Sequence, residues 1–163
     1  MPLTSYAIAL GSNRRSRYGS PAETVRAAAE RLGVETMSRI RSTLAIGPAG
    51  RGFANAAALL ATPLDPPELL AELKEVERAF GRRPGRRWGP RVLDLDILLW
   101  SEGPWGGEGL TLPHLEYRNR AFVLEPLSEI AADWRDPLDG ASVRQLLHRL
   151  RARRPVDREA APA

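Results

Sequence analysis

The spacing of apolar residues changes several times along the chain, and each change marks an element. Ser5–Leu10 is a short apolar run that reads as a strand, and Gly11-Ser12-Asn13 ends it in a turn. Ser20-Pro21-Ala22-Glu23 carries three helix-start signals together: Ser as N-cap, Pro at the first helical position, and Glu three residues on. Val25, Ala28, Ala29 and Leu32 follow at helical spacing, and Gly33 stops the helix. Val34–Ile46 is weakly strand-like, and Gly47–Gly52 is a loop by composition. Phe53–Ala61 reads as a strand with Ala57, Leu59 and Ala61 alternating. Asp65-Pro66-Pro67-Glu68 repeats the helix-start logic, with Leu69, Leu70, Leu73, Val76 and Phe80 as the apolar face and Gly81 as the stop.

From Gly81 to Trp100 the pattern turns unusual. Arg82, Arg83, Arg86, Arg87 and Arg91 fill a loop that contains no acid. The strand that follows alternates: Leu93, Leu95, Ile97 and Leu99 are expected to face a core, with Asp94 and Asp96 side by side on the other face. Two carboxylates one strand repeat apart can hold one or two divalent cations, and two such ions lie about 4 Å apart in two-metal sites. Arginines beside them suit a polyphosphate and its magnesium. An arginine run alone is usually a solvated loop, and a lone D-x-D is common. It is their contiguity, with the acids off the core face, that a purely structural role explains poorly.

Beyond this strand, Ser101–Gly109 reads as turn-rich and Leu110–His114 as short and extended. Ala121–Ala132 is a helix that Pro126 is expected to interrupt, and a last helix starts at Ser142. Residues 153–163 lack period and apolar content and are expected to form a mobile tail behind a single domain over residues 1–152. The order strand–helix–strand–strand–helix–strand predicts an α+β fold: a ferredoxin-like antiparallel sheet built on the split βαβ pattern. Its helices would cover one face and leave the Asp94/Asp96 face to loops and ligand.

Composition narrows the function. The chain has 163 residues, 43% of them hydrophobic and 27% charged, as in an ordinary globular protein. Its formal net charge of +4 permits an anionic substrate without requiring nucleic acid. Cysteine is absent, which excludes disulfides, thiolate zinc sites and a cysteine nucleophile. No run approaches the roughly 20 apolar residues of a membrane span, and the N-terminal run is too short and lacks the basic leader of a signal peptide. A cytoplasmic location is expected.

The phrases ALGSN (9–13), FANAA (53–57), RWGPRVLDLDILL (87–99), LPH (112–114) and NRAFVLEPLSEIA (119–131) resemble the 6-hydroxymethyl-7,8-dihydropterin pyrophosphokinases of folate synthesis. The likeness runs in order from Ser5 to about Leu150. It implies an α-β-α sandwich, with helices on both sides of the sheet, and transfer of the terminal two phosphates of ATP to the pterin hydroxymethyl group. It further implies that Asp94 and Asp96 bind two Mg²⁺ ions and that Arg82 and Arg91 clamp phosphate in a catalytic role. Arg87 and Trp88 would close over nucleotide and pterin. Glu77, Thr111, His114 and Arg120 match nucleotide-side positions. Asn55 would hydrogen-bond the pterin edge, Phe53 and Phe122 would sandwich its ring, and Thr43 would lie nearby. For any single Phe, plain core packing is the simpler reading; for Glu77, a helix surface; for His114 and Arg120, a structural histidine and a solvated cation.

The chain departs from the family pattern at Ser42-Thr43-Leu44-Ala45, at Lys74, Gly109 and Leu115, and in an arginine loop one residue short around Pro84-Gly85. Arg83 and Arg86 both remain candidates for the loop's middle arginine. The partners implied are ATP and the pterin alone, with no nucleic acid and no membrane; a monomer is expected, with a homodimer left open. Two rival readings share some of these features. An RRM-like RNA-binding module shares the topology but needs stacking aromatics on the face that carries the two aspartates. Another D-x-D nucleotidyltransferase would leave Asn55 and the two Phe residues unexplained. No G-x-x-x-x-G-K-[ST] motif exists, which excludes a P-loop kinase.

Overall fold

The computed structural model describes residues 2–44, 52–81, 92–107 and 109–153, with backbone only for Thr43 and Leu44. Among these the elements run β1 (Thr4–Ser12), α1 (Pro21–Leu32), β2 (Thr36–Met37), β3 (Arg41–Leu44), β4 (Gly52–Thr62), α2 (Pro66–Ala79), β5 (Asp94–Trp100), β6 (Trp105–Gly107), β7 (Leu110–Leu112), a 3₁₀ turn (Tyr117–Asn119), α3 (Ala121–Ala131) and α4 (Val143–Arg153).

β1 is central, paired antiparallel with β4 on one side and β5 on the other. β2 and β3 both pair with the far edge of β4. The weakly strand-like stretch is thus two short strands. The break falls at Ser38, whose hydroxyl oxygen enters the ladder and accepts the Ala57 N–H at 2.9 Å.

Alternate residues of β1 enter two different clusters. Tyr6, Ile8 and Leu10 pack with Val25 and Ala28 of α1 and with Leu69, Leu73 and Val76 of α2. Ala7 packs with Leu124 and Leu127 of α3 and with Leu146 and Leu147 of α4. The expectation of helices on one face alone is therefore corrected, because α3 and α4 bury the second set.

The first two helices start as their sequences direct. Ser20 Oγ accepts the Glu23 N–H at 3.2 Å while Glu23 Oε1 accepts the Ser20 N–H at 3.0 Å. Asp65 and Glu68 make the same reciprocal pair at 2.9 Å each way. Such caps contribute about 1 kcal/mol each. Gly33 closes α1 at φ 70°, a left-handed conformation that favours glycine.

Three expectations fail locally. Leu99 does not share a face with Leu93, Leu95 and Ile97. Ala7 pairs with Leu99 and Ile8 with Ile97, so Leu98 is an extra residue in β5, and Leu98 and Leu99 both join the α3/α4 cluster. The turn-rich stretch holds β6, paired with β7 in a small hairpin. Its glycines hide the strand, and Trp105 anchors it edge-on to Trp100 with ring centroids 5.9 Å apart. Pro126 lies inside an unbroken α3, where burial among Val123, Leu124 and Leu127 outweighs its missing hydrogen bond.

Candidate active site

The cavity opens at the end of β1 that leads to Ser12. Ala9 lies between Ala57 and Asp96, and Gly11 between Asn55 and Asp94. With a methyl group at one position and no side chain at the other, this face of β1 leaves a hollow. The ends of β4 and β5 and the start of α3 wall it. The cavity measures about 760 Å³, within the usual range for a small-molecule site, and Phe53, Asn55, Asp94, Asp96, Arg120 and Phe122 all line it.

Each wall has a distinct chemistry. Asp94 and Asp96 alternate with the buried Leu93, Leu95 and Ile97, which holds both acids out of the core. Phe53 and Phe122 are 42% and 52% exposed and line the same cavity, and exposed apolar surface gathered in one place marks a binding groove where scattered single residues do not. Asn55 offers a side-chain amide, and a Cβ built on Gly11 would lie 3.0 Å from its Oδ1, so the glycine makes room for that amide. Arg120, just before α3, lays its guanidinium over the Phe122 ring at 5.8 Å. Asn13 also lines the cavity, and its buried Oδ1 has no hydrogen-bond partner among the described residues. The sequence places Ala9, Gly11 and Asn13 in a strand, a turn and the ALGSN phrase, with no site role for any of them. The signal that could have marked them is a small-residue strand end opposite Asn55 and the two acids.

The surrounding scaffold is tied together by charge. Glu129 of α3 accepts the Arg39 N–H at 3.1 Å and two bonds from the Arg41 guanidinium, at 2.8 and 3.2 Å. Arg41 pairs with Asn55 across the β3–β4 ladder. Desolvation pushes the Glu129 carboxyl up, but the Arg39 N–H and Arg41 outweigh it, and its pKa lies below the ordinary value. Behind the 3₁₀ turn, buried Asp136 accepts the Tyr117 hydroxyl at 2.6 Å and also binds the Arg118 guanidinium.

Other site residues fall elsewhere. Thr111 is exposed on β7, and His114 is half-buried with Nδ1 accepting the Glu116 N–H at 3.1 Å; neither lines the cavity. Glu77 is not a helix-surface residue. It is 4% exposed, lies outside the cavity lining, and accepts the Leu95 N–H at 2.8 Å. Arg82, Arg83, Arg86, Arg87, Trp88, Arg91 and the Thr43 side chain lie outside the described residues, as do residues 154–163.

A family model described as 7,8-dihydro-6-hydroxymethylpterin-pyrophosphokinase matches residues 7–132. The chain belongs to this family. Pyrophosphokinase relatives named for 2-amino-4-hydroxy-6-hydroxymethyldihydropteridine include one from Pseudomonas aeruginosa, 41% identical over 147 residues, covering 86% of this chain and 88% of the relative. One from Haemophilus influenzae is 41% identical over 138 residues, covering 80% and 83%. One from Synechocystis is 40% identical over 117 residues, which is 72% of this chain but only 60% of the relative. Among solved structures, Plasmodium falciparum HPPK-DHPS with pteroate aligns with 96% of this chain at a TM-score of 0.69 and 12% identity. That likeness concerns the fold alone, and the chain spans 44% of that longer protein. The matched span, residues 7–132, includes the cavity-lining residues named above.

Proposed function

We propose that the chain transfers pyrophosphate from ATP to the hydroxymethyl group of 6-hydroxymethyl-7,8-dihydropterin, releasing AMP. The carrying observation is that an acid pair, an amide and two exposed aromatic rings meet in one cavity. The strand order, with β2 and β3 on β4 and β5 beyond β1, supports a ferredoxin-like sheet in an α-β-α sandwich. A single domain over 1–152, acting as a cytoplasmic monomer, completes the reading.

The residues have separate tasks. Phe53 and Phe122 stack against the flat pterin, for which offset aromatic packing is favourable. Asn55 presents donor and acceptor to the ring's polar edge. Arg82, Arg91 and Arg120 neutralise the phosphates; Arg87 and Trp88 close over nucleotide and pterin; Glu77, Thr111 and His114 stand on the nucleotide side, and Thr43 near the pterin. The hydroxymethyl oxygen attacks the β-phosphorus, the bond from that phosphorus to the AMP oxygen breaks, and the hydroxyl proton is lost. Positioning and charge neutralisation do most of this work.

The acid pair fits magnesium. Asp94 and Asp96 offer hard oxygen donors, and no group of three or more potential ligands exists among the described residues. Mg²⁺ is commonly held by one or two carboxylates together with substrate phosphates. When bound, two Mg²⁺ ions would polarise the phosphates and acidify the attacking hydroxyl. The test is AMP release from ATP labelled in the adenine. Release that requires both pterin and magnesium supports the reading; release that ignores the pterin contradicts it.

A further inference from the structure

β5 lies at the edge of its sheet. β1 pairs with one side of it, and no strand among the described residues pairs with the other. N–H groups of an antiparallel strand alternate between its two sides, so those on the outer side need acceptors elsewhere. The N–H of Leu95, between Asp94 and Asp96, is taken by Glu77 Oε2 at 2.8 Å. A carboxylate acceptor makes this a strong bond. Its base is firm, because Leu73 and Val76 of the same helix pack in one cluster with Leu93, Leu95 and Ile97.

We infer that Glu77 is a positioning residue: by holding the peptide N–H between the two aspartates, it fixes their spacing and aim toward the cavity. The inference rests on the metal-binding reading of that pair. Glu77 lines no part of the cavity and needs no contact with reacting atoms. Its effect passes through the backbone of β5, and an acceptor in the right place suffices for it.

Two measurements on the same variants test this. One is amide exchange at Leu95 in metal-free protein, read by NMR. The other is binding of Mn²⁺ with α,β-methylene-ATP, read by electron paramagnetic resonance. Glu77→Leu removes the acceptor: the Leu95 amide loses protection while its β1-paired neighbours keep theirs, and Mn²⁺ affinity falls about tenfold or more. Glu77→Gln keeps an acceptor oxygen in nearly the same volume, so Leu95 stays protected and Mn²⁺ affinity stays within about threefold. Unchanged Mn²⁺ affinity in Glu77→Leu overturns the inference. So does a tenfold loss in Glu77→Gln with Leu95 still protected, and that variant decides the matter even if Glu77→Leu does not fold. Asp96→Asn separates the two levels: if it binds Mn²⁺ as the parent does, the metal reading falls and takes the inference with it. If Asp96→Asn loses Mn²⁺ while Glu77→Leu retains it, the inference alone falls.

Discussion

Gly11 shows how little side chain the site tolerates at its floor. The strand passes between Asn55 and Asp94 there, and any Cβ would come 3.0 Å from the Asn55 amide oxygen. The amide would have to give by a few tenths of an ångström. Gly11→Ala is therefore expected to weaken pterin binding about tenfold, or about 1.4 kcal/mol, while leaving ATP affinity unchanged. Titration calorimetry with each ligand checks this; equal losses for both would place the damage elsewhere. The arginines proposed as phosphate clamps call for the opposite pattern. Arg82→Ala and Arg91→Ala are expected to lower kcat more than they weaken ATP binding, because charge developing during transfer needs them most. Single-turnover rates set beside equilibrium ATP binding separate the two effects.

Among the elements, β5 has the most to do. Its first half, with the preceding Leu93, alternates: the acids face the cavity, and Leu93, Leu95 and Ile97 face α1 and α2. Its second half does not, because the extra residue Leu98 turns both Leu98 and Leu99 toward α3 and α4. Leu98→Ala empties a fully buried position, with an expected cost of about 3 kcal/mol in denaturant unfolding. Strict alternation reads the acid half of this strand correctly from sequence, since every second residue there is charged. It fails at Leu98 because in a run of apolar residues nothing local marks a bulge. The same limit applies to β6, whose glycines carry no strand preference and whose Trp105 packs on Trp100, a contact that local sequence does not show. The capped starts of α1 and α2 were legible because both halves of each capping box lie within four residues. Glu77 was not, because its partner Leu95 is distant in sequence and only the packing of α2 on β5 brings the two together.

At the scale of the molecule, two apolar clusters hold the sheet, and a few buried or half-buried charges fix what packs beside it. Asp136 is the most enclosed of these, bonded to the Tyr117 hydroxyl, the Arg118 guanidinium and the Leu138 N–H. Burial pushes its pKa up, but these bonds outweigh burial and hold it below the ordinary carboxylate value. A carboxyl with a lowered folded-state pKa stabilises the protein above its unfolded pKa of about 3.9, and that contribution is lost as pH falls through the folded value. Asp136→Asn is expected to cost about 3 kcal/mol near neutrality. It is also expected to flatten the acid side of the stability profile, which urea unfolding from pH 7 to pH 3 would show. An unchanged slope below pH 4 would assign the acid sensitivity to other groups.

The proposed transfer depends on a strand end that aims two carboxylates into a cavity walled by rings and an amide. The most direct measurement is the turnover of purified Asp96→Asn at saturating ATP, pterin and magnesium, with its thermal midpoint recorded alongside. A loss of at least about a hundredfold with an unchanged midpoint is predicted. Turnover near that of the parent would contradict the account.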